Sequence, residues 1–133
     1  MNFEKELKAK RLKVTPQRLA ILREIESKGH TTIEGIYENI LENYPSTSLT
    51  TIYKNVTIMC ESDILSEVKA PGYKQRYEIK QQKHVHVMCE KCGKLQDLYI
   101  NYSNLQNECE AMSGYKLDSL SAVFTGVCSE CRE

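Results

Sequence analysis

Two C-x-x-C pairs, Cys89/Cys92 and Cys128/Cys131, are spaced C-x2-C-x35-C-x2-C and constrain this chain more than any other feature. Each C-x-x-C turn presents two thiolates to one point, and "CEKCG" supplies a glycine where such a turn needs freedom in φ. Two turns together offer four sulfurs, the tetrahedral set that a structural Zn²⁺ prefers at about 2.3 Å. Such a set leaves no position open for a substrate. The second pair lies within six residues of the C-terminus. An ion held there ties the end of the chain to the first turn, a staple that counts in a half-domain of about 50 residues. A dithiol redox enzyme is the rival reading. It wants one C-x-x-C at the start of a helix after a strand, whereas these pairs lie near strand ends.

The other segments read as a helical half followed by a β-rich one. Residues 3–12 suit a short basic helix. In "VTPQRLAILREIESKGH", Thr15 fits an N-cap, Pro16 the first helical position and Gly29 the stop, with Leu19, Ile21, Leu22 and Ile25 apolar at helical spacing. In "TTIEGIYENILENYP", Thr31 and Glu34 have capping-box spacing. There Ile33, Ile36, Tyr37, Ile40, Leu41 and Tyr44 form an apolar stripe that Pro45 ends. "SLTTIYKNVTIMCES" then buries Leu49, Ile52, Val56 and Met59 and turns Thr50, Tyr53, Lys54 and Thr57 outward. Two helices joined by so short a link, the second with a polar, aromatic and basic face, predict a helix-turn-helix.

"DILSEVKAPGYKQRYEIK" predicts two strands around a Pro71-Gly72 turn, the wing of a winged helix. "KQQK", Lys80 to Lys83, suits a hinge. The expected fold is therefore α+β: a winged helix-turn-helix DNA-binding domain over residues 1–80, then a small α/β domain over 81–133 carrying the four-cysteine zinc site. In that second domain, strands are expected at His84–Cys89 and in "KLQDLYI", a helix at 103–112, and a β-rich return in "YKLDSLSAVFTGV". Cys60 and Cys109 fall on apolar helix faces and read as buried cysteines.

Charge is uneven although the formal net charge is zero. Residues 1–83 hold 14 Lys+Arg against 11 Asp+Glu, and residues 84–133 hold 4 against 7. A basic first half suits a polyanion partner, although a solvated Lys-rich helix face gives the same count. No apolar run approaches the ~20 residues of a membrane helix, and "MNFEKELKAK" lacks a signal-peptide segment. A cytoplasmic protein with no membrane partner is expected.

His84 and His86 share one face of their strand, about 6.5 Å apart at Cα, so both can reach one ion while Val85 and Val87 face the core. Cys89 falls on the opposite face. Alone, a His-x-His is more often a surface or hydrogen-bonded pair. The third histidine, His30, lies at the mouth of the second long helix, and Glu78 and Asp97 flank the histidine strand in sequence. A mixed N/O set suits Fe²⁺, Mn²⁺, Zn²⁺ or Co²⁺.

"LKVTPQRLAIL", "SLTTIYKNV", "HVHVMCEKCGKLQDL" and the final C-x-x-C, in this order, resemble the ferric uptake regulator (Fur) family of metal-dependent repressors over almost the whole chain. The resemblance implies a regulatory ion at His30, Glu78, His84, His86 and Asp97, with Fe²⁺ or Mn²⁺ as the expected metal and Zn²⁺ as the alternative. It also implies a homodimer, with residues 81–133 as the dimerisation domain, on a palindromic, AT-rich double-stranded DNA operator. Tyr53 matches a base-reading position, Lys54 its basic neighbour, and Lys13 a minor-groove position. With Thr50 and Thr51 these make the expected DNA-contacting set. Two departures stand out. Some relatives carry a third metal site, for which Lys83, Val85 and the histidine-free "LDSLSAV" offer no ligands. The peroxide-sensing branch tends to have Asp where this chain has Glu78. The competing classes are a thiol redox protein, which predicts reversible disulfides, and a zinc-ribbon module that binds no regulatory ion.

Overall fold

The structure, a computed structural model, describes residues 2–70, 72–81 and 84–132, and divides into two compact units, Met1–Gln81 and Gln82–Glu133. Pro71 of the expected wing turn, and Lys83 with its neighbour in the expected hinge, lie outside the described residues.

The first unit runs α1 (Phe3–Ala9), α2 (Pro16–Lys28), α3 (Ile33–Ile40), α4 (Leu49–Glu61), β1 (Leu65–Val68) and β2 (Arg76–Ile79). Local chemistry sets the helix ends. Asn2, Thr15, Thr32 and Ser48 each accept a backbone N–H in the first turn of α1 to α4, satisfying donors that a helix start leaves open. Gly29 closes α2 at φ 79°, a value only glycine adopts without strain. Phe3 and Leu7 of α1, Ile21, Leu22 and Ile25 of α2, Ile36 and Ile40 of α3, and Ile52, Val56 and Met59 of α4 meet in one buried cluster with Leu65 and Tyr77. At roughly 1.5–3 kcal/mol per fully buried aliphatic side chain, this cluster is the main stabilising term of the unit. β1 and β2 pair antiparallel, with Ser66 opposite Glu78.

Three expectations change here. The cap of α3 is Thr32 rather than Thr31, because the backbone of Thr31 is engaged in a bridge with Tyr77 of β2 (N–H to O, 3.2 and 2.8 Å). The helix also stops at Ile40 and passes through a turn. Tyr44 still packs on the core from that turn, which is why the apolar stripe outlasts the helix. Leu49 is 45% exposed rather than buried, since the first turn of α4 precedes the part that reaches the core.

The second unit contains β3 (Val85–Cys89), β4 (Leu95–Leu98), α5 (Ser103–Ser113) and β5 (Val123–Gly126). Its sheet has the order β4-β3-β5, antiparallel between β4 and β3 and parallel between β3 and β5. A parallel neighbour needs a crossover, and the segment containing α5 supplies it. The return before β5 is irregular from Gly114 to Ala122, less β-rich than its sequence suggests. Val85 and Met88 are buried, but Val87 is 37% exposed, against the expectation that it faces the core. Its strand neighbour Phe124 is exposed too, so the middle of that side of the sheet is open, although Val85 and Cys89 at the two ends of β3 are buried. Cys109 on α5 is likewise exposed rather than buried, with Leu105 and Met112 beside it. Cys60 on α4 is half-buried. No described helix is long and apolar enough to cross a membrane.

Candidate metal centres and nucleic-acid interface

The thiol cluster follows from sheet register. β5 runs parallel to β3 with Gly126 level with Cys89, which carries Cys128 to the end of β3. Glu90 N–H donates to Gly126 O at 2.8 Å and holds the two ends together. Gly93, at φ 76°, folds the first knuckle back so that Cys89 N–H reaches Lys94 O at 2.9 Å. The second knuckle closes with Cys131 N–H on Cys128 O at 3.1 Å. All four Sγ atoms lie within 4.8 Å of one another. Cys92 and Cys128 Sγ are 3.8 Å apart. A regular tetrahedron of sulfurs about 2.3 Å from a central Zn²⁺ has edges of about 3.8 Å, so the donor set and its spacing fit that ion.

Electrostatics lead the same way. N–H groups of Cys128 and Cys92 point at Cys89 Sγ (3.4 and 3.5 Å) and lower its thiol pKa to about 6. Cys131, hydrogen-bonded first to Cys128 and crowded by the other thiols, is pushed up to about 12. Four thiolates this close cannot all ionise without a cation among them.

The histidines and carboxylates form one group in each unit. In the first unit, the Thr31–Tyr77 bridge sets the residues on either side of it next to each other. His30 Nε2 therefore comes within 2.9 Å of Glu78 Oε2. Glu78 is only 3% exposed, although it is a carboxylate. In the second unit, His86 lies directly opposite Asp97 in the β3–β4 ladder, and His84 lies two residues along the same face. Asp97 Oδ1 is 3.3 Å from His86 Nε2 and 3.6 Å from His84 Nε2. The two Nε2 atoms are 3.2 Å apart. Ring nitrogens so close either share a proton or face a common cation. The tilted Tyr99 ring, 5.2 Å from that of His84, packs against the pair.

The outer face of α4 displays Thr50, Tyr53 and Lys54, with Thr51 half-buried beside them. Tyr53 is 57% exposed, too open for a packing residue. Lys13 projects from the connection between α1 and α2 and is exposed. Sequence reading did not single out Arg18 or Asn55, which hydrogen-bond across 37 residues (Nε to Oδ1, 3.0 Å). The only available signal was an arginine in the first turn of an otherwise core-facing helix.

The sequence model of the Ferric uptake regulator family matches residues 9–124. The chain belongs to the Fur family. Fur-family proteins are metal-responsive transcriptional regulators, and the winged helix followed by a small α/β unit with a four-cysteine cluster is the Fur-family fold. The chain is 31% identical to the peroxide-responsive repressor PerR of Staphylococcus aureus over 124 residues, 92% of this chain and 84% of that protein. Among solved structures, it is similar to the Campylobacter jejuni peroxide stress regulator (32% identity, TM-score 0.76, 98% of this chain and 100% of that one). It is also similar to the Helicobacter pylori ferric uptake regulator Fur, described as having three functional metal binding sites (26% identity, TM-score 0.80, 98% and 89%).

Proposed function

We propose that this Fur-family chain is a cytoplasmic, homodimeric repressor whose grip on a palindromic, AT-rich operator is switched by one divalent cation per chain. The observation that carries this reading is that each unit holds an incomplete ligand set, His30 with Glu78 in the first and His84, His86 and Asp97 in the second. Neither set alone fills the coordination sphere of Fe²⁺ or Mn²⁺. In this reading those five residues serve one ion; bound, it would neutralise their charge and meet an ordering cost before DNA arrives.

Cys89, Cys92, Cys128 and Cys131 hold a structural Zn²⁺ in this reading. Lys13, Thr50, Thr51, Tyr53 and Lys54 meet DNA, with α4 in the major groove. The exposed apolar side chains of the second unit, Val87, Leu98 and Phe124 among them, suit burial against a second copy. Two-fold symmetry of the dimer then calls for a palindromic site.

The test titrates operator binding by the full chain with Fe²⁺, Mn²⁺ and Zn²⁺ separately, with zinc content tracked in parallel. Metal-dependent binding that His86→Ala abolishes, with structural zinc retained, is the expected result. Metal-independent binding by the unsubstituted chain would sink the switch.

Peroxide-responsive relatives at 31 and 32% identity favour a finer reading, in which the ferrous form responds to peroxide by oxidation of a ligand histidine, His30, His84 or His86. Its mark is a gain of one oxygen on a peptide holding one of those residues, with loss of DNA binding. Glu78→Asp should speed it. Manganese-loaded protein that reacts as fast as the ferrous form would exclude it.

A further inference from the structure

Arg18 makes a set of contacts that none of the metal or DNA assignments uses. It lies in the first turn of α2, where its own N–H donates to the Thr15 cap at 3.2 Å. Its guanidinium then forks. Nη1 donates to the Lys13 carbonyl at 2.8 Å, and Nε donates to Asn55 Oδ1 at 3.0 Å. Asn55 is itself oriented, because its Nδ2 donates back one turn to Thr51 O at 3.0 Å. One planar group thus ties the connection before α2 to the middle of α4. A lysine, with a single rotatable ammonium on a flexible stem, cannot span both acceptors in this fixed geometry.

We infer that Arg18 is a positioning residue that fixes the root of Lys13 relative to the Tyr53–Lys54 face of α4. The inference rests on the proposed reading that both Lys13 and α4 contact one duplex. Lys13 is exposed, and among its own backbone atoms the carbonyl is the one held by this side chain. The segment thereby keeps a set distance from α4 while the ammonium remains free to reach a phosphate or groove. Contacts of this kind set the register of a protein on DNA, and a rigid spacing removes the ordering cost from binding. Without the fork, Lys13 still carries its charge but no longer arrives in register with Tyr53.

The test uses the full chain with Arg18→Gln, Asn55→Ala, Lys13→Ala and the Lys13→Ala/Arg18→Gln pair. Asn55→Ala removes the anchor while keeping every charge, so it carries the test if Arg18→Gln unfolds. Without DNA, backbone ¹⁵N relaxation should show increased fast motion at Lys13 and Val14 in Arg18→Gln and Asn55→Ala, with α2 and α4 unchanged. Unaltered relaxation overturns the clamp. With operator DNA, Lys13→Ala should weaken binding several-fold in the parent but less than twofold in the Arg18→Gln background. The double variant should lose about one unit of the salt slope, as Lys13→Ala does alone. Independent, multiplying effects with a second unit of slope lost mean that Arg18 touches phosphate directly, and overturn the proposal. If the parent chain binds no DNA while the relaxation changes appear, the DNA reading fails and the clamp stands as a structural tie alone.

Discussion

Glu78 Oε2 sits 2.9 Å from His30 Nε2 because Thr31 and Tyr77, the next residue on each segment, form a β-bridge. Burying a carboxylate is costly unless a positive partner or a cation compensates it. Glu78→Gln keeps the shape and removes the charge. The metal concentration needed for half-maximal operator binding should rise on the order of tenfold or more. Zinc content should stay at about one per chain. Metal analysis alongside a fluorescence-anisotropy titration measures both, and an unchanged midpoint would remove Glu78 from the ligand set.

The cysteine cluster should behave as a staple rather than a redox pair. Cys128→Ser removes one of four sulfurs that lie within 4.8 Å of each other. Structural zinc contributes on the order of 10 kcal/mol of apparent folding free energy in small domains. The second unit should therefore lose bound zinc and its cooperative unfolding transition, whereas α1 to α4 stay folded. Circular dichroism melts with metal analysis check this. A variant that keeps one zinc per chain and an intact second transition would contradict it.

Tyr53 and Lys54 are neighbours on α4, but they should fail differently. Lys54→Ala removes one phosphate-neutralising charge. It should weaken specific and random DNA alike and reduce the salt slope by about 0.9. Tyr53→Ala should erode discrimination between operator and random sequence by about 1–3 kcal/mol and leave the slope unchanged. Tyr53 is 57% exposed, so neither change should move the melting temperature by much. Equal loss on both DNAs for Tyr53→Ala would deny it a base-reading role.

Much of the first unit was legible because helix ends are local chemistry. Thr15, Pro16 and Gly29 mark boundaries that need no tertiary information. The cap of α3 was misplaced because a long-range bridge to Tyr77 decides it, and no window of sequence contains both strands. Period-2 patterning set the histidine face of β3 correctly, yet it could not tell that Val87 would lack a cover, since burial depends on what lies above the sheet. The same limit applied to Cys109: a helix face can be apolar and still be open within its own chain. Four cysteines at knuckle spacing were readable as one cluster because each C-x-x-C is local and only one pairing of knuckles exists. The Arg18–Asn55 tie was not readable, since neither residue repeats in any pattern.

Two acidic protons give the first unit a ceiling in pH. Burial first, then the negative charge of Glu67 and Glu61, pushes the Cys60 thiol from 9 up to about 11. Burial and Glu67 push the Tyr77 phenol from 10 up to about 12. In both cases the folded state holds its proton more tightly than the unfolded chain does. Their contribution is therefore fully present below pH 9 and is lost as pH rises through 9 to about 11 for Cys60, and from 10 to about 12 for Tyr77. Urea midpoints of the full chain should be level from neutral pH to about 8 and then fall. Cys60→Ala should be less stable at neutral pH but should flatten the first part of that fall. Identical slopes in the two proteins between pH 9 and 11 would show that Cys60 is not the group responsible.

Gly35 in α3 should be an exception to helix propensity. Replacing glycine with alanine inside a helix ordinarily stabilises by about 1 kcal/mol. Here an added Cβ meets Thr31 Oγ1 at 2.6 Å and Thr32 Oγ1 at 3.3 Å. Neither threonine yields easily. Thr31 is held by its backbone bridge to Tyr77, and Thr32 Oγ1 is the cap that accepts Gly35 N–H at 3.1 Å. Overpacking of this kind costs about 1–3 kcal/mol, so Gly35→Ala should come out destabilising by about 1 kcal/mol. Thr31→Ala/Gly35→Ala removes the nearer obstacle and should recover most of the loss. Because His30 adjoins Thr31, the single variant should also weaken the metal response, and the double variant should restore it. Urea denaturation and the metal titration test the two halves of the argument. A stabilised Gly35→Ala would mean that the bridge gives way to the helix rather than holding it.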